Sequence, residues 1–260
     1  MSQKLGQHFL KDDSVLRKIA DSLSIGAEDV VIEIGPGHGE LTKHILKKKP
    51  RRLIIIEKDG KLAAELSKKL RNDNLRIIHG DALKLLPEAI SEEKLPGVGY
   101  KIAGNIPYYI TGYLLRIISG LERKPSLTAL VIQREVAERI TARPPEMNLL
   151  AASVQFWAEP EILEKISAKK FKPAPKVDSA LLLLATTENA EKIAAEKYYP
   201  FIKKLFKQPR KTILNNLSEG LPIEEKKRAQ EKLAILKIDS VSRPQTLDVD
   251  KIKELASVFH

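Results

Sequence analysis

The chain has 260 residues, 43% of them apolar, which suits one large domain or a medium domain with a smaller one. It has no cysteine, which excludes disulfides and thiolate chemistry, and no apolar run approaches the roughly 18–20 residues that span a bilayer. The net charge of +11 is clustered in residues 43–52, 165–176 and 203–211; this fits a polyanionic partner, although solvated lysines on helix faces would give the same pattern.

Residues 1–8 lack the apolar stretch of a signal peptide, so a cytoplasmic protein is expected. Five histidines without cysteine show no metal-site spacing. Gln7-His8-Phe9-Leu10 leads toward a helix capped near Asp12. Short β-branched runs at residues 30–34, 53–56, 75–78, 100–103 and 127–132 then read as buried strands, with amphipathic helical spacing at residues 41–46 and 61–70. Strands alternating with single helices predict a parallel sheet covered on both faces, a doubly wound, Rossmann-like α/β domain over residues 1–186. Beyond it the strand signals stop. Residues 190–260 read as helices with turns at Pro209, Gly220-Leu221-Pro222 and Pro244, so residues 187–260 are expected to form a small all-helical domain.

Glu33, Glu57, Asp81 and Asn105 follow one another at intervals of 24 residues, each at or just past the end of an apolar strand. Ligands of open α/β sheets bind at the carboxyl ends of the strands, so the four side chains are expected along one crevice. Glu33-Ile34-Gly35-Pro36-Gly37-His38-Gly39 is a glycine-rich strand-to-helix turn. Its G-x-G-x-G spacing differs from the G-x-G-x-x-G of pyrophosphate-binding dinucleotide sites and follows an acid, which suits S-adenosylmethionine. Glu33 and this turn are expected to face the amino-acid end of that cofactor. Glu57 can accept hydrogen bonds from both ribose hydroxyls, as NAD enzymes also arrange, and Asp81 can accept one from the adenine amine.

Gly104-Asn105-Ile106-Pro107-Tyr108-Tyr109 carries the chemistry. An adenine N6 amine is a poor nucleophile because its lone pair is delocalised into the ring. The Asn105 side-chain oxygen and the Ile106 carbonyl can accept its two N–H groups and favour a pyramidal nitrogen. Pro107 fixes the loop, and Tyr108 offers a face on which a base can stack. Positioning and electrostatics suffice, with no metal.

The tetrad Asn105-Ile106-Pro107-Tyr108 is similar to the amino-methyltransferase signature, and the whole chain resembles the KsgA/RsmA-type ribosomal RNA adenine dimethyltransferases. The likeness includes Gly6-Gln7-His8-Phe9-Leu10, residues 133–139, Phe171-Lys172-Pro173-Ala174-Pro175-Lys176-Val177-Asp178-Ser179, residues 208–217 and Arg243-Pro244-Gln245-Thr246-Leu247. It departs at His8, where many relatives carry asparagine, and at residues 144–150, where relatives usually show Lys-x-Tyr-Gly-x-Leu. The resemblance implies that His8, Leu10, Gly35, Glu57, Asp81 and Asn105 contact S-adenosylmethionine and that Phe171 stacks on the target base opposite Tyr108. It implies double methylation of two adjacent adenosines near the 3′ end of small-subunit ribosomal RNA by a monomer. The 30S-type subunit would then be its partner, and it would have a role in subunit biogenesis, with the helical domain contacting RNA. Two alternatives remain: the macrolide-resistance class that methylates large-subunit RNA, and an assembly factor acting mainly by binding. An NAD-dependent oxidoreductase fails on the glycine spacing.

Overall fold

A computed structural model describes residues 7–92, 99–187 and 193–259; Gly6 and the start of the helical pattern at residue 190 lie outside them. The elements in chain order are β1 (Phe9–Leu10), α1 (Asp13–Ser22), β2 (Val30–Ile34), α2 (Glu40–Lys47), β3 (Arg52–Glu57), α3 (Gly60–Lys69), β4 (Leu75–His79), α4 (Ala82–Glu92), β5 (Tyr100–Asn105), α5 (Thr111–Gly120), β6 (Leu127–Gln133), α6 (Arg134–Ile140), α7 (Leu149–Gln155), β7 (Ala158–Ile166), β8 (Phe171–Lys172), β9 (Ser179–Thr186), α8 (Ala195–Leu205), α9 (Ile213–Leu217), α10 (Ile223–Ile235) and α11 (Val249–Val258).

Local sequence explains the helix starts. The Asp12 carboxylate accepts from the Val15 N–H and the Asp59 carboxylate from those of Lys61 and Leu62, which caps α1 and α3. Val15, Leu16, Ile19 and Ala20 then place one stripe of α1 in the core. All five residues of β2 are buried, as a central strand covered on both faces requires.

The main sheet has the order β4-β3-β2-β5-β6-β9-β7. β2 pairs in parallel with β3 and β5, β3 with β4 and β5 with β6, whereas β9 runs antiparallel to β6. After β2 the chain builds outward through β3 and β4, then returns to the other side of β2 with β5. This order reversal is a topological switch point, and a crevice opens there beyond the carboxyl ends of the strands. The two strands approach closely: a Cβ on Gly104 would stand 2.7 Å from the Ile34 carbonyl oxygen and 2.6 Å from Ile106 Cδ1, so only glycine fits. A second sheet of two strands pairs β1 antiparallel with β8, Phe9 opposite Lys172 and Leu10 opposite Phe171.

The structure divides into two compact units, residues 1–137 with 160–186, and residues 138–159 with 187–260. This differs from a single cut after residue 186, because residues 138–159 pack with the C-terminal helices. The Phe156 ring stacks on Tyr198 at 4.0 Å and 15°, and the Tyr198 hydroxyl donates to the Ala152 carbonyl at 3.0 Å. Gln155 ties down the preceding turn by donating to the carbonyls of Ile140 and Ala142. Within the same unit the buried Asn216 carboxamide accepts from the Gln208 N–H and donates to the Gln208 and Thr212 carbonyls, which ties the Pro209 turn to α9. Among the described residues, no helix is long and apolar enough to cross a membrane, and no group of three metal-binding side chains forms.

Candidate active site

A cleft of about 830 Å³, open to solvent, lies in the first unit at the switch point. Its wall brings together His8, Gly35, Glu57, Asp81, Asn105, Ile106, Pro107, Tyr108 and Phe171, nine positions that the sequence singles out. Gly37 of the expected glycine turn lines it too, and Gln7, Phe9, Lys58, Tyr109 and Ile110 join without a role having been expected of them.

Two expected residues stand elsewhere. Leu10 does not line the cleft: alternation along β1 turns its side chain into the core, beside Val15, Leu16 and Phe171. Glu33 is sealed inside the domain, 1% exposed, with one carboxylate oxygen lacking any hydrogen-bond partner. Burial pushes its carboxyl up to about 8, Thr42 being a polar neighbour that works against the rise. The register explains this displacement. Val30 pairs with Arg52 and Leu53 with Leu75, an offset of 22 residues per strand, whereas the polar residues recur every 24. The steps to Glu57 and to Asp81 therefore each climb two residues up the sheet, about 6–7 Å, whereas Asn105, on β5 with Gly104 opposite Ile34, stands level with Glu57. Glu33 itself pairs with Ile55, two residues below Glu57.

Glu57 sits at the level of the glycine turn. Its two oxygens accept from the N–H groups of Asp59 at 2.8 Å and Gly37 at 3.1 Å. Burial raises its pKa and these backbone donors oppose the rise. Each oxygen retains lone-pair capacity for a further donor. Gly35 and Gly37 have φ of +67° and +59°, and a Cβ on Gly37 would lie 2.8 Å from two atoms of the Phe9 ring. Phe9 is thus the floor against which the turn is folded. Asp81 caps the start of α4 by accepting from the Leu83 N–H, and its other oxygen accepts from the Lys58 ammonium at 2.8 Å. That hydrogen bond with Lys58 holds the Asp81 carboxyl below its ordinary range and raises Lys58. Nothing in the residue pattern announces Lys58 as the partner of Asp81.

Asn105 ends β5. Its side-chain amide donates to the His8 carbonyl at 2.7 Å, and this fixes the orientation of the carboxamide: Nδ2 is occupied and Oδ1 remains an acceptor. Ile106 anchors the loop through its N–H to the Val131 carbonyl at 3.0 Å and through a buried side chain. No backbone N–H of the described residues donates to the Ile106 carbonyl. Pro107 accepts from the Ile110 N–H at 3.0 Å, closing a short 3₁₀ turn over Tyr108–Ile110. The Tyr108 hydroxyl is 2.8 Å from the Ser179 hydroxyl, and burial raises the Tyr108 pKa. Ser179 begins β9 and is fully buried, so it pins the ring from behind.

His8 is held at both ends. Besides its carbonyl bond to Asn105, its Nδ1–H donates to the Pro173 carbonyl at 2.9 Å; a carbonyl can only accept, so Nδ1 carries the hydrogen. Its ring lies 6.2 Å from that of Tyr108 at an interplanar angle of 27°. Phe171 is on the cleft wall but only 5% exposed, and no ring contact joins it to Tyr108 among the described residues.

The sequence matches the family described as "Ribosomal RNA adenine dimethylase" over residues 1–256. The chain belongs to that family. A "Ribosomal RNA small subunit methyltransferase A" of Dehalococcoides mccartyi (strain ATCC BAA-2266 / KCTC 15142 / 195) is 36% identical over 261 residues, covering 98% of this chain and 87% of that protein. Among solved structures, a dimethyladenosine transferase from Plasmodium falciparum superposes with a TM-score of 0.81 at 25% identity, over 95% of this chain and 96% of that one. The 23S rRNA methyltransferase ErmE superposes at 0.77 with 24% identity, over 96% and 99%, and so shares the adenine dimethylase fold.

Proposed function

We propose that this adenine dimethylase transfers methyl groups from S-adenosylmethionine to N6 of two adjacent adenosines near the 3′ end of small-subunit ribosomal RNA, giving N6,N6-dimethyladenosine. The observation that carries the reading is the fixed carboxamide of Asn105 in the cleft. With Nδ2 held by the His8 carbonyl, Oδ1 is left to accept an N–H from the target amine, and the Ile106 carbonyl is free of the backbone ladder to accept the other.

The residues present fit the cofactor. Gly35 and Gly37 give a turn without Cβ atoms at the carboxyl end of β2, where the methionine part would lie. Glu57 keeps acceptor capacity on both oxygens for the ribose hydroxyls, and Asp81, held ionised by Lys58, can accept from the adenine amine. His8 would complete the wall, and Leu10 would contribute through the backbone of β1. When bound, S-adenosylmethionine supplies an electrophilic methyl group. The chain itself orients the amine and exposes the nitrogen lone pair.

Tyr108, pinned by Ser179, would stack on the target base, and Phe171 would close its far side. A base within structured RNA must be turned out of its stack to reach them. Exposed cations beside the cleft, among them Lys172 and Lys176 on and after β8, would hold the phosphates, so RNA binding should weaken steeply with salt. The helical unit, residues 187–260 together with 138–159, would add RNA or ribosome contacts. We take the protein to act as a monomer on ribosomal subunits in the cytoplasm. The small-subunit reading is favoured over the large-subunit one by the naming of the curated relatives at 34–37% identity. Tritium transfer onto purified small and large subunits tests it: label on the small subunit is expected, and label confined to the large subunit overturns it.

A further inference from the structure

Among the described residues, the only strongly exposed aromatic side chains are Tyr109, 58% exposed, and Tyr113, 67% exposed. Both follow the catalytic loop directly. Tyr109 is in the 3₁₀ turn after Pro107 and lines the cleft; Tyr113 lies in the first turn of α5. Leu114, Leu115 and Ile118 fill the buried face of α5, so Tyr113 belongs to its solvent face. Neither ring has a ring or hydrogen-bond partner among the described residues. Beyond Tyr113, exposed Arg116 stands one turn along the helix, and both line a hollow walled by Pro87 and Ile90 of α4. Tyr109 is close enough to Lys58 for the two to interact electrostatically.

Scattered exposed apolar side chains need no explanation. Two tyrosines four residues apart, bare of partners and continuous with a base-stacking site on a chain of net charge +11, form a more specific arrangement. Every nucleobase has a π-face, so rings of this kind bind single-stranded RNA whatever its sequence, with cations on the intervening phosphates.

We propose that Tyr109 and Tyr113 form a stacking platform for the single-stranded RNA bases next to the target adenine, with Arg116 on the adjoining phosphate. The platform lies outside the catalytic tetrad and would hold the strand while the target base enters the cleft. The proposal rests on the RNA-methyltransferase reading above.

The test uses the full chain and an RNA octamer with two central adenines flanked by 2-aminopurine, whose fluorescence falls on stacking. Wild type and Tyr113→Phe should quench it equally. Tyr113→Ala and Tyr109→Ala should lose most of the quenching and bind the octamer about 5- to 150-fold more weakly, the range one lost base–aromatic stack gives. Because Tyr113 is exposed, S-adenosylmethionine affinity in Tyr113→Ala should stay at the wild-type value, which calorimetry checks. Equal quenching and affinity in wild type and Tyr113→Ala would overturn the platform. So would a defect of Tyr113→Ala confined to whole subunits and absent on the protein-free octamer, since the rings would then meet a protein. Methyl transfer by wild type to small subunits, measured alongside, separates failure of the platform from failure of the RNA-methyltransferase reading.

Discussion

Glu33→Gln should make the protein more stable at alkaline pH and remove part of its pH dependence. The Glu33 carboxyl is sealed in the domain, with one oxygen unpartnered and its pKa raised by burial to about 8 from an ordinary 4.5. The folded chain therefore keeps a proton that the unfolded chain releases between those two values. The stability this contributes is fully present below about pH 4.5 and is lost as pH rises through about 8. Each unit of pH in that window is worth up to about 1.4 kcal/mol, and integrating over both titrations gives a loss of roughly 2 kcal/mol between pH 6 and 8. Glutamine has nearly the same shape, stays neutral, and can pair with the Thr42 hydroxyl, which also lacks a partner. Urea unfolding of both proteins should be followed by far-ultraviolet circular dichroism at pH 6, 7 and 8. Trp157, the chain's single tryptophan, sits in the other unit and would report the wrong transition. The wild type should lose about 2 kcal/mol relative to the variant over that range. Parallel pH profiles, or a wild type that gains on the variant as pH rises, would refute the reasoning.

Other substitutions separate the parts of the site. Asn105→Asp would set a carboxylate oxygen against the His8 carbonyl where an N–H now donates, so methyl transfer should fall at least a hundredfold while calorimetry still detects cofactor binding. Gly37→Ala combines a strained φ of +59° with a Cβ 2.8 Å from the Phe9 ring; we expect about 1–3 kcal/mol of destabilisation by urea unfolding and at least tenfold weaker S-adenosylmethionine binding. Tyr108→Phe removes only the hydroxyl bond to Ser179, worth about 1 kcal/mol, and should keep methylation within tenfold of wild type, whereas Tyr108→Ala should lose a hundredfold or more in kcat/KM.

The strands that build the crevice were legible because β2, β3, β4 and β6 are short apolar runs with β-branched residues, bounded by turns, and β5 a weaker one around Ile102; each was found within two residues of its expected limits. β9 was less legible: Ser179–Thr186 is a leucine run whose length suits either a strand or a helix. The equal spacing of Glu33, Glu57, Asp81 and Asn105 pointed to the right edge of the sheet but carried no information about register. The 22-residue offset between neighbouring strands lifts Glu57 to the glycine turn and leaves Glu33 below it. Side-chain partners were less legible still. That Lys58 holds Asp81, that Ser179 pins Tyr108 and that the His8 carbonyl orients Asn105 depend on contacts across 23, 71 and 97 residues, which no local pattern encodes. The unit boundary was hidden for the same reason, since residues 138–159 join the C-terminal helices through Phe156 and Gln155.

Mass spectrometry of small-subunit RNA from unmethylated subunits, after incubation with the protein and S-adenosylmethionine, tests the central claim most directly. Dimethyladenosine should appear at two adjacent positions near the 3′ end with wild type and at neither with Asn105→Ala. Unmodified adenosines with wild type, or equal methylation by the Asn105 variant, would contradict it.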